Sequence, residues 1–414
     1  MTYPGGGLYP GGGLYPGGGG AGPDLSGNPT GIDESGYWGT LDSTRPDVLR
    51  WLAVDLISGS IICDLPSLQS TDPSRRTINQ FESQTLDLYI TDTTSPSWRV
   101  GTRPGSCALI AYRGQPGAEV IYWGGIVLRR QSATGSNKVT LTAATPECYL
   151  DRRYTGAYTT DPLGIGATKT QNQIVVDLVT QFIAANQGLP MTVVQLAGTS
   201  TQRFEVYNDY DDKTVYSNIG ALSGLLNGPE FTAHWVWNRG PNTITPTLYV
   251  GNRIGTPASP APAATFDSAT LIEGTLDENY TTGMGANDLT ATSSGQGLAR
   301  PQAISPNPRS VALDGRPRFE YRFQPSTSIQ DPLTLQAHAD RAAALLTSGT
   351  NTVTLKAAAN RFPLLGVDWH LGDDIGFEVS GPAFPSPLTG VARCIGYEAT
   401  DTYTSPVLYV PKVI

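Results

Sequence analysis

Ala108–Leu150 reads ALIAYRGQPGAEVIYWGGIVLRRQSATGSNKVTLTAATPECYL, and this stretch decides the fold class. Three runs rich in β-branched and aromatic residues stand in it: Ala108–Tyr112, Val120–Leu128 and Lys138–Thr142. Turn residues separate them, first Gly114-Gln115-Pro116-Gly117, then Thr134-Gly135-Ser136-Asn137. Short apolar runs bounded by Gly, Pro, Asn and Ser are the pattern of antiparallel strands joined by hairpins. The pair Gly124-Gly125 lies inside the middle run. Glycine inside a strand marks a bulge or a sharp bend. The stretch therefore predicts a twisted meander that curls, one wall of a small barrel.

Working outward, the preceding residues continue the β pattern. Val48–Ile57 and Gly59–Asp64 read as a hairpin, Thr85–Thr91 alternates with Leu86, Leu88 and Ile90 on one face, and Trp98–Val100 reads as a further short β segment. Beyond the meander the period changes. Thr170–Gln187 places Ile174, Val175, Leu178, Val179, Phe182 and Ile183 on one broad face, and Gly188 and Pro190 stop it. A strand at Met191–Leu196, a second helix at Lys213–Leu226 and the alternating strand Glu230–Asn238 follow, then Thr247–Val250. Thr256–Ala264, rich in Pro and Ala, reads as a linker or long loop. After it come a strand at Arg318–Phe323 and a helix at Pro332–Thr347 with Asp331 as N-cap and Gly349 just past its end. Strands at Thr352–Ala357, Asp374–Val379, Gly390–Tyr397 and Val407–Val410 close the chain.

The expected organisation is an arm at 1–36, a barrel-like β domain at 37–160, a small α+β domain at 161–255, a linker at 256–265, and a second β domain at 266–414 carrying the helix 332–347. The fold class is thus a β-rich α+β fold. The arm contains the repeat YPGGGL, YPGGGL, YPGGGG between Tyr3 and Pro23. Glycine loses the most backbone entropy on ordering, so the arm alone reads as a flexible tether. Its evenly spaced Tyr3, Leu8, Tyr9, Leu14 and Tyr15 are candidate anchors for a partner surface.

Composition narrows the function. The chain has 414 residues, 15% of them charged, 47 Gly, 32 Pro and a net charge of −9. That balance opposes tight binding to nucleic-acid backbones. Cys63, Cys107, Cys148 and Cys394 are scattered without a C-x-x-C pair and read as small apolar core residues in a reducing compartment. The start, MTYPGGG, has no basic or apolar region of the secretory kind, and Leu52–Cys63 is too short and polar to span a bilayer. His234, His338 and His370 form no local metal-ligand spacing, and neither a G-x-S-x-G elbow nor a Walker loop occurs. Gly164–Lys169 lacks the full phosphate-loop spacing. Asp209, Asp211 and Asp212 could offer oxygen ligands to calcium but lack an EF-hand's glycine and distant glutamate, and read better as an acidic helix start. Trp235 and Trp237 could stack a sugar, but core packing is the plainer use. No catalytic, cofactor or metal site is expected.

Four segments together carry a resemblance: VIYWGGIVLRR with VTLTAATPECYLDRR, the helix QNQIVVDLV, the run LLNGPEFTAHWVWNRGPNTITPTLYVGNRIG, and the end LGDDIGFEVSGPAFPSPLTGVARCIGYEATD. In order and spacing they resemble the minor tail proteins of long-tailed actinobacteriophages (siphoviruses), of the tail-tip or baseplate hub type. The YPGGGL repeats match no part of that pattern. The resemblance implies two barrel-like antiparallel β domains with small α+β domains between or beside them. It also implies a homotrimer whose six barrels match a sixfold tail tube to a threefold tip, with the genome passing through unbound. Implied partners are the distal tail protein, the tape measure and a central fibre; the implied place is the virion's tail tip, after synthesis in the bacterial cytoplasm. A receptor- or carbohydrate-binding tail protein and a tail-associated cell-wall hydrolase are the alternatives.

Overall fold

The computed structural model describes residues 49–92, 94–114, 119–160, 168–185, 188–198, 200–295, 300–305, 316–325, 329 and 331–410. Eight strands occupy the first third: β1 (Arg50–Asp55), β2 (Ile61–Asp64), β3 (Leu68–Ser70), β4 (Ser74–Thr77), β5 (Ser83–Tyr89), β6 (Cys107–Arg113), β7 (Val120–Ser132) and β8 (Lys138–Ala144). Seven of them form one sheet in the order β2-β1-β6-β7-β8-β5-β3. The expected meander is its centre, β6-β7-β8, all antiparallel. Trp98–Val100 is not extended: Trp98–Gly101 is a single helical turn (α1) beside β1 and β2.

The register of β7 corrects the reading of its two glycines. Extra residues sit at Tyr122, opposite the Ala111/Tyr112 step of β6, and at Leu128, opposite the Thr142/Ala143 step of β8. Gly124 and Gly125 lie between these bulges, where neighbours approach closely. A Cβ on Gly124 would stand 2.4 Å from Cδ1 of Trp235, and one on Gly125 2.5 Å from the Trp123 ring. Glycine here makes room rather than a bend.

The middle of the chain is mixed. Short ribbons pair β9 (Tyr158–Thr159) with β13 (Val206–Tyr207) and β10 (Lys169–Thr170) with β12 (Gln202–Arg203). Helix α2 spans Gln171–Val179, capped by Thr170 whose side chain accepts from Gln173 N, and widens into a π turn over Thr180–Ala184. Strand β11 (Thr192–Gln195) follows, then α3 (Val215–Ser223), whose N-cap is Thr214. Strands β14 (Glu230–Asn238) and β15 (Thr243–Gly251) complete a sheet ordered β11-β15-β14. Both helices are shorter than the apolar periodicity suggests, because Thr side chains set their starts and the chain turns to pack at Ala185 and Gly224.

The last third builds a second large sheet. Its strands are β16 (Ala264–Phe266), β17 (Leu271–Asn279), β21 (Thr350–Ala358), β22 (Asp374–Gly381), β23 (Phe384–Ala399) and β24 (Tyr403–Tyr409), ordered β16-β22-β23-β24-β21-β17. Strand β4, from the first third, also pairs with β23. A three-stranded sheet of β18 (Asp288–Thr292), β19 (Gln302–Ser305) and β20 (Glu320–Phe323) lies against helix α4 (Pro332–Leu346). Asp331 caps α4 by accepting from Leu333 N and Thr334 N, and Gly349 follows its end at φ +85°. Thr256–Ala264 is not a free connector: Thr256 N and Ala258 N donate to Asp373 and Asp374, and Ala264 opens β16. In neither large sheet do the outermost strands pair to close a barrel, among the described residues.

Core placement follows from strand alternation. Trp51, Ala53, Leu109 and Ala111 face one apolar cluster, which runs on through Trp123 and Tyr122 to Tyr397, Trp369, Phe377 and Val353 of the second sheet region. Leu52, Val54, Ala108 and Ile110 face another, shared with Ile174, Leu178, Ile219, Trp235 and Leu248 of the middle. The centre of the first sheet is therefore buried on both faces, which explains the unbroken apolar runs of β1 and β6.

Candidate functional site

The feature that sets this molecule apart from a row of independent β units is a polar seam where its three parts meet. Glu230 opens β14 and is fully buried, as is Arg393 in the middle of β23. Arg393 Nη1 donates to Glu230 Oε1 at 2.6 Å, and Nη2 donates to Glu230 Oε2. The same guanidinium donates to the carbonyls of Ile254 (2.7 Å) and Gly372 (3.2 Å). Glu230 Oε2 also accepts from Ile254 N at 2.7 Å. Burial works against the Arg393 charge, but the Glu230 carboxylate outweighs it and holds its pKa above the ordinary value.

A second buried pair stands close by along β14. Arg76 of β4 donates through Nη2 to Glu147 Oε1 (3.0 Å), Thr232 Oγ1 (2.7 Å) and Ala233 O (2.5 Å). Glu147 Oε1 in turn accepts from Ala233 N at 2.6 Å. Because β4 pairs with β23, this cluster ties segments of the first third, Arg76 and Glu147, to the second large sheet and to β14 of the middle. Around it, Asn79, at φ +64°, exchanges two hydrogen bonds with Phe231, and Arg253 binds Asp374 at 2.5 Å. Farther along, Arg113 donates to Ala359 O and Thr400 O, and Tyr397 OH donates to Tyr122 O at 2.6 Å.

Taking charges out of water is costly, and such pairs hold only when their remaining donors and acceptors are also engaged. Here the guanidiniums reach backbone carbonyls of other segments: Ala233 within β14, and Ile254, Gly372, Ala359 and Thr400 in connections between strands. The arrangement fixes the relative orientation of three parts. Both oxygens of Glu230 are committed to guanidinium and amide donors, whereas Glu147 engages through Oε1 alone and its buried Oε2, like Arg76 Nε, meets no partner.

His234 lies at this seam, half-buried between strands. Burial first, then the charges of Arg76 and His370, push its pKa well below the ordinary value, so it is neutral at pH 7. His338 of α4 is likewise pushed down to about 4, mainly by burial. His370 meets one carboxylate, Asp373, 3.4 Å from its Nδ1, but among the described residues no group of three His, Cys, Asp or Glu could hold a metal ion. Asp211 caps its own turn by accepting from Asn208 N, and Asp212 ends that turn at φ +48°. Trp235 packs over Gly124; Trp237 stands edge-on to Tyr112 at 5.7 Å, with Arg239 over its ring at 4.2 Å. Both indoles are buried, so they offer no open stacking platform. Cys107, Cys148 and Cys394 are buried free thiols and Cys63 is half-buried.

The arm candidates Tyr3, Leu8, Tyr9, Leu14 and Tyr15 lie outside the described residues, as does most of Gly164–Lys169. The residues that sequence reasoning passed over are Arg76, Glu147, Glu230 and Arg393. Their signal was present: charges inside or beside apolar strand runs, in a chain where only 15% of residues are charged.

No family model matches the sequence, and no curated protein does. Solved structures do match the fold. The 43 kDa tail protein of prophage MuSo2 from Shewanella oneidensis aligns with TM-score 0.53 at 11% identity, over 87% of this chain and 98% of that one. The tail protein from Neisseria meningitidis MC58 aligns with TM-score 0.51 at 13% identity, over 87% of this chain and 96% of that one. The chain thus has the β-rich, several-sheet fold of phage tail proteins along nearly its whole length.

Proposed function

We propose that this chain is a structural protein of a phage tail tip, a hub that joins a sixfold tail tube to a threefold tip and surrounds the path of the genome. The observation that carries the reading is the fold likeness to two phage tail proteins over 87% of the chain. The buried seam supports it, because a joint between two symmetries must transmit orientation without bending. Two large sheets per chain would let three copies present six walls to the tube. The acidic balance of −9 suits a channel wall that DNA phosphates pass without sticking. In this reading the protein is not an enzyme, and its partners are other tail proteins: the distal tail protein, the tape measure and a central fibre. The arm, through Tyr3, Leu8, Tyr9, Leu14 and Tyr15, would reach one of them. Immunogold labelling of virions tests the location. Label at the tail end away from the head supports the reading; label on the capsid, or on no particle, overturns it.

A further inference from the structure

One end of the first sheet carries a basic, apolar surface that nothing in the seam explains. Arg99, Val100 and Arg103 come from α1 and the turn after it, and Leu128 and Arg129 from the second bulge of β7. Gly105 N donates to Val127 O, and Arg130 Nη1 donates to Arg99 O (2.6 Å) and Thr102 Oγ1 (3.1 Å), so turn and strand form one surface. The guanidiniums of Arg99 and Arg130 both lie against the Trp98 ring, at 5.4 and 5.9 Å. The bulge turns Leu128 and Arg129 outward, and Val100 is 60% exposed. No carboxylate pairs with Arg99, Arg103, Arg129 or Arg130 among the described residues. Unpaired arginines around exposed apolar side chains are the composition of a protein interface rather than of a merely solvated face.

The second sheet has the complement. β17 is an edge strand, with Ile272 62% exposed and Glu273, Asp277 and Glu278 turned to solvent. Charges guard an edge strand against indiscriminate pairing, and charges of a single sign also select a basic partner. No ion pair joins the two surfaces within one chain, among the described residues.

We propose that the Arg99–Arg103–Arg129 surface of one copy docks against the acidic edge strand β17 of the next copy. This head-to-tail contact rests on the reading of the chain as one member of a ring. A contact between two different surfaces closes into a ring when its rotation allows. The test is the self-association constant of the full chain at low ionic strength, measured by sedimentation. It is measured for the wild type, for Arg99→Glu with Arg129→Glu, and for that pair combined with Glu273→Lys and Asp277→Lys. Thermal melts check that each variant folds. Weakening of at least tenfold by the arginine reversals, recovered by the fourfold charge swap, supports the contact. Association unchanged by the reversals, or weakened and not recovered by the swap, overturns it while the ring reading stands. A wild type that stays monomeric at every concentration overturns the ring reading itself. Duplex DNA binding that disappears in the arginine variant while association persists overturns the proposal in favour of a nucleic-acid surface.

Discussion

Glu230 and Arg393 show how single residues set the orientation of whole sheets. Removing one member of a fully buried pair strands the other charge, at a cost of about 3–5 kcal/mol. Glu230→Gln is expected to lower the unfolding free energy by that order in urea titrations. Glu398→Gln, which breaks the exposed pair with Arg75, is expected to change it by less than about 1 kcal/mol. Equal effects would contradict the seam's role. Gly124→Ala is a second residue-scale test. The added methyl would meet the Trp235 ring and Cδ1 of Ile110, and is expected to cost about 1–3 kcal/mol in the same titration. The histidines give a pH dependence. His338 titrates near 4 when folded and near 6.5 when unfolded, so the unfolded chain binds the extra proton. Its neutral form is fully compatible with folding above pH 6.5. Stability is lost as pH falls from 6.5 and levels off below 4, by up to about 3 kcal/mol. His338→Gln is expected to flatten that part of the curve; a slope unchanged in the variant would assign it elsewhere. The sequence showed Arg393 and Glu230 inside or beside apolar strand runs, but not which charge each one meets, and nothing marked His338.

At the scale of elements, the sequence was informative wherever a local signal decides the outcome. Asp331, Pro332 and Gly349 mark both ends of α4, and the structure places that helix at Pro332–Leu346. Asp331→Ala is expected to remove two amide acceptors and cost about 1 kcal/mol, read as a lower melting temperature. β14 runs over Glu230–Asn238 as the alternation predicts, with Phe231, Ala233, Trp235 and Trp237 buried together, although Glu230 and Thr232 are buried as well. Trp98–Gly101 misled because a four-residue element carries no period, and its helical turn is held by backbone contacts to Ser97. The glycine pair in β7 misled for another reason: glycine reports either a bend or a close neighbour, and the neighbour of Gly124, Trp235, is 111 positions away in sequence. Thr256–Ala264 has a linker's composition, but Asp373 and Asp374 hold it from a distant turn.

On the scale of the whole molecule, the β, mixed, β order could be read along the chain, while the joints could not. β4, from the first third of the chain, pairs with β23 rather than joining the first sheet, and Arg393 meets Glu230 across 163 positions. Pairing over such distances is decided by three-dimensional register, for which a single sequence carries no local sign. Those same long-range joints tie the three parts of the chain together, as the proposed ring requires. The direct test is cryo-electron microscopy of the purified full chain, alone and with tail extracts, together with its mass in solution. A particle of about three times 43.9 kDa, with a threefold axis around an open centre, is the expected result. Particles of single copies under both conditions, or copies packed with no central opening, would contradict it.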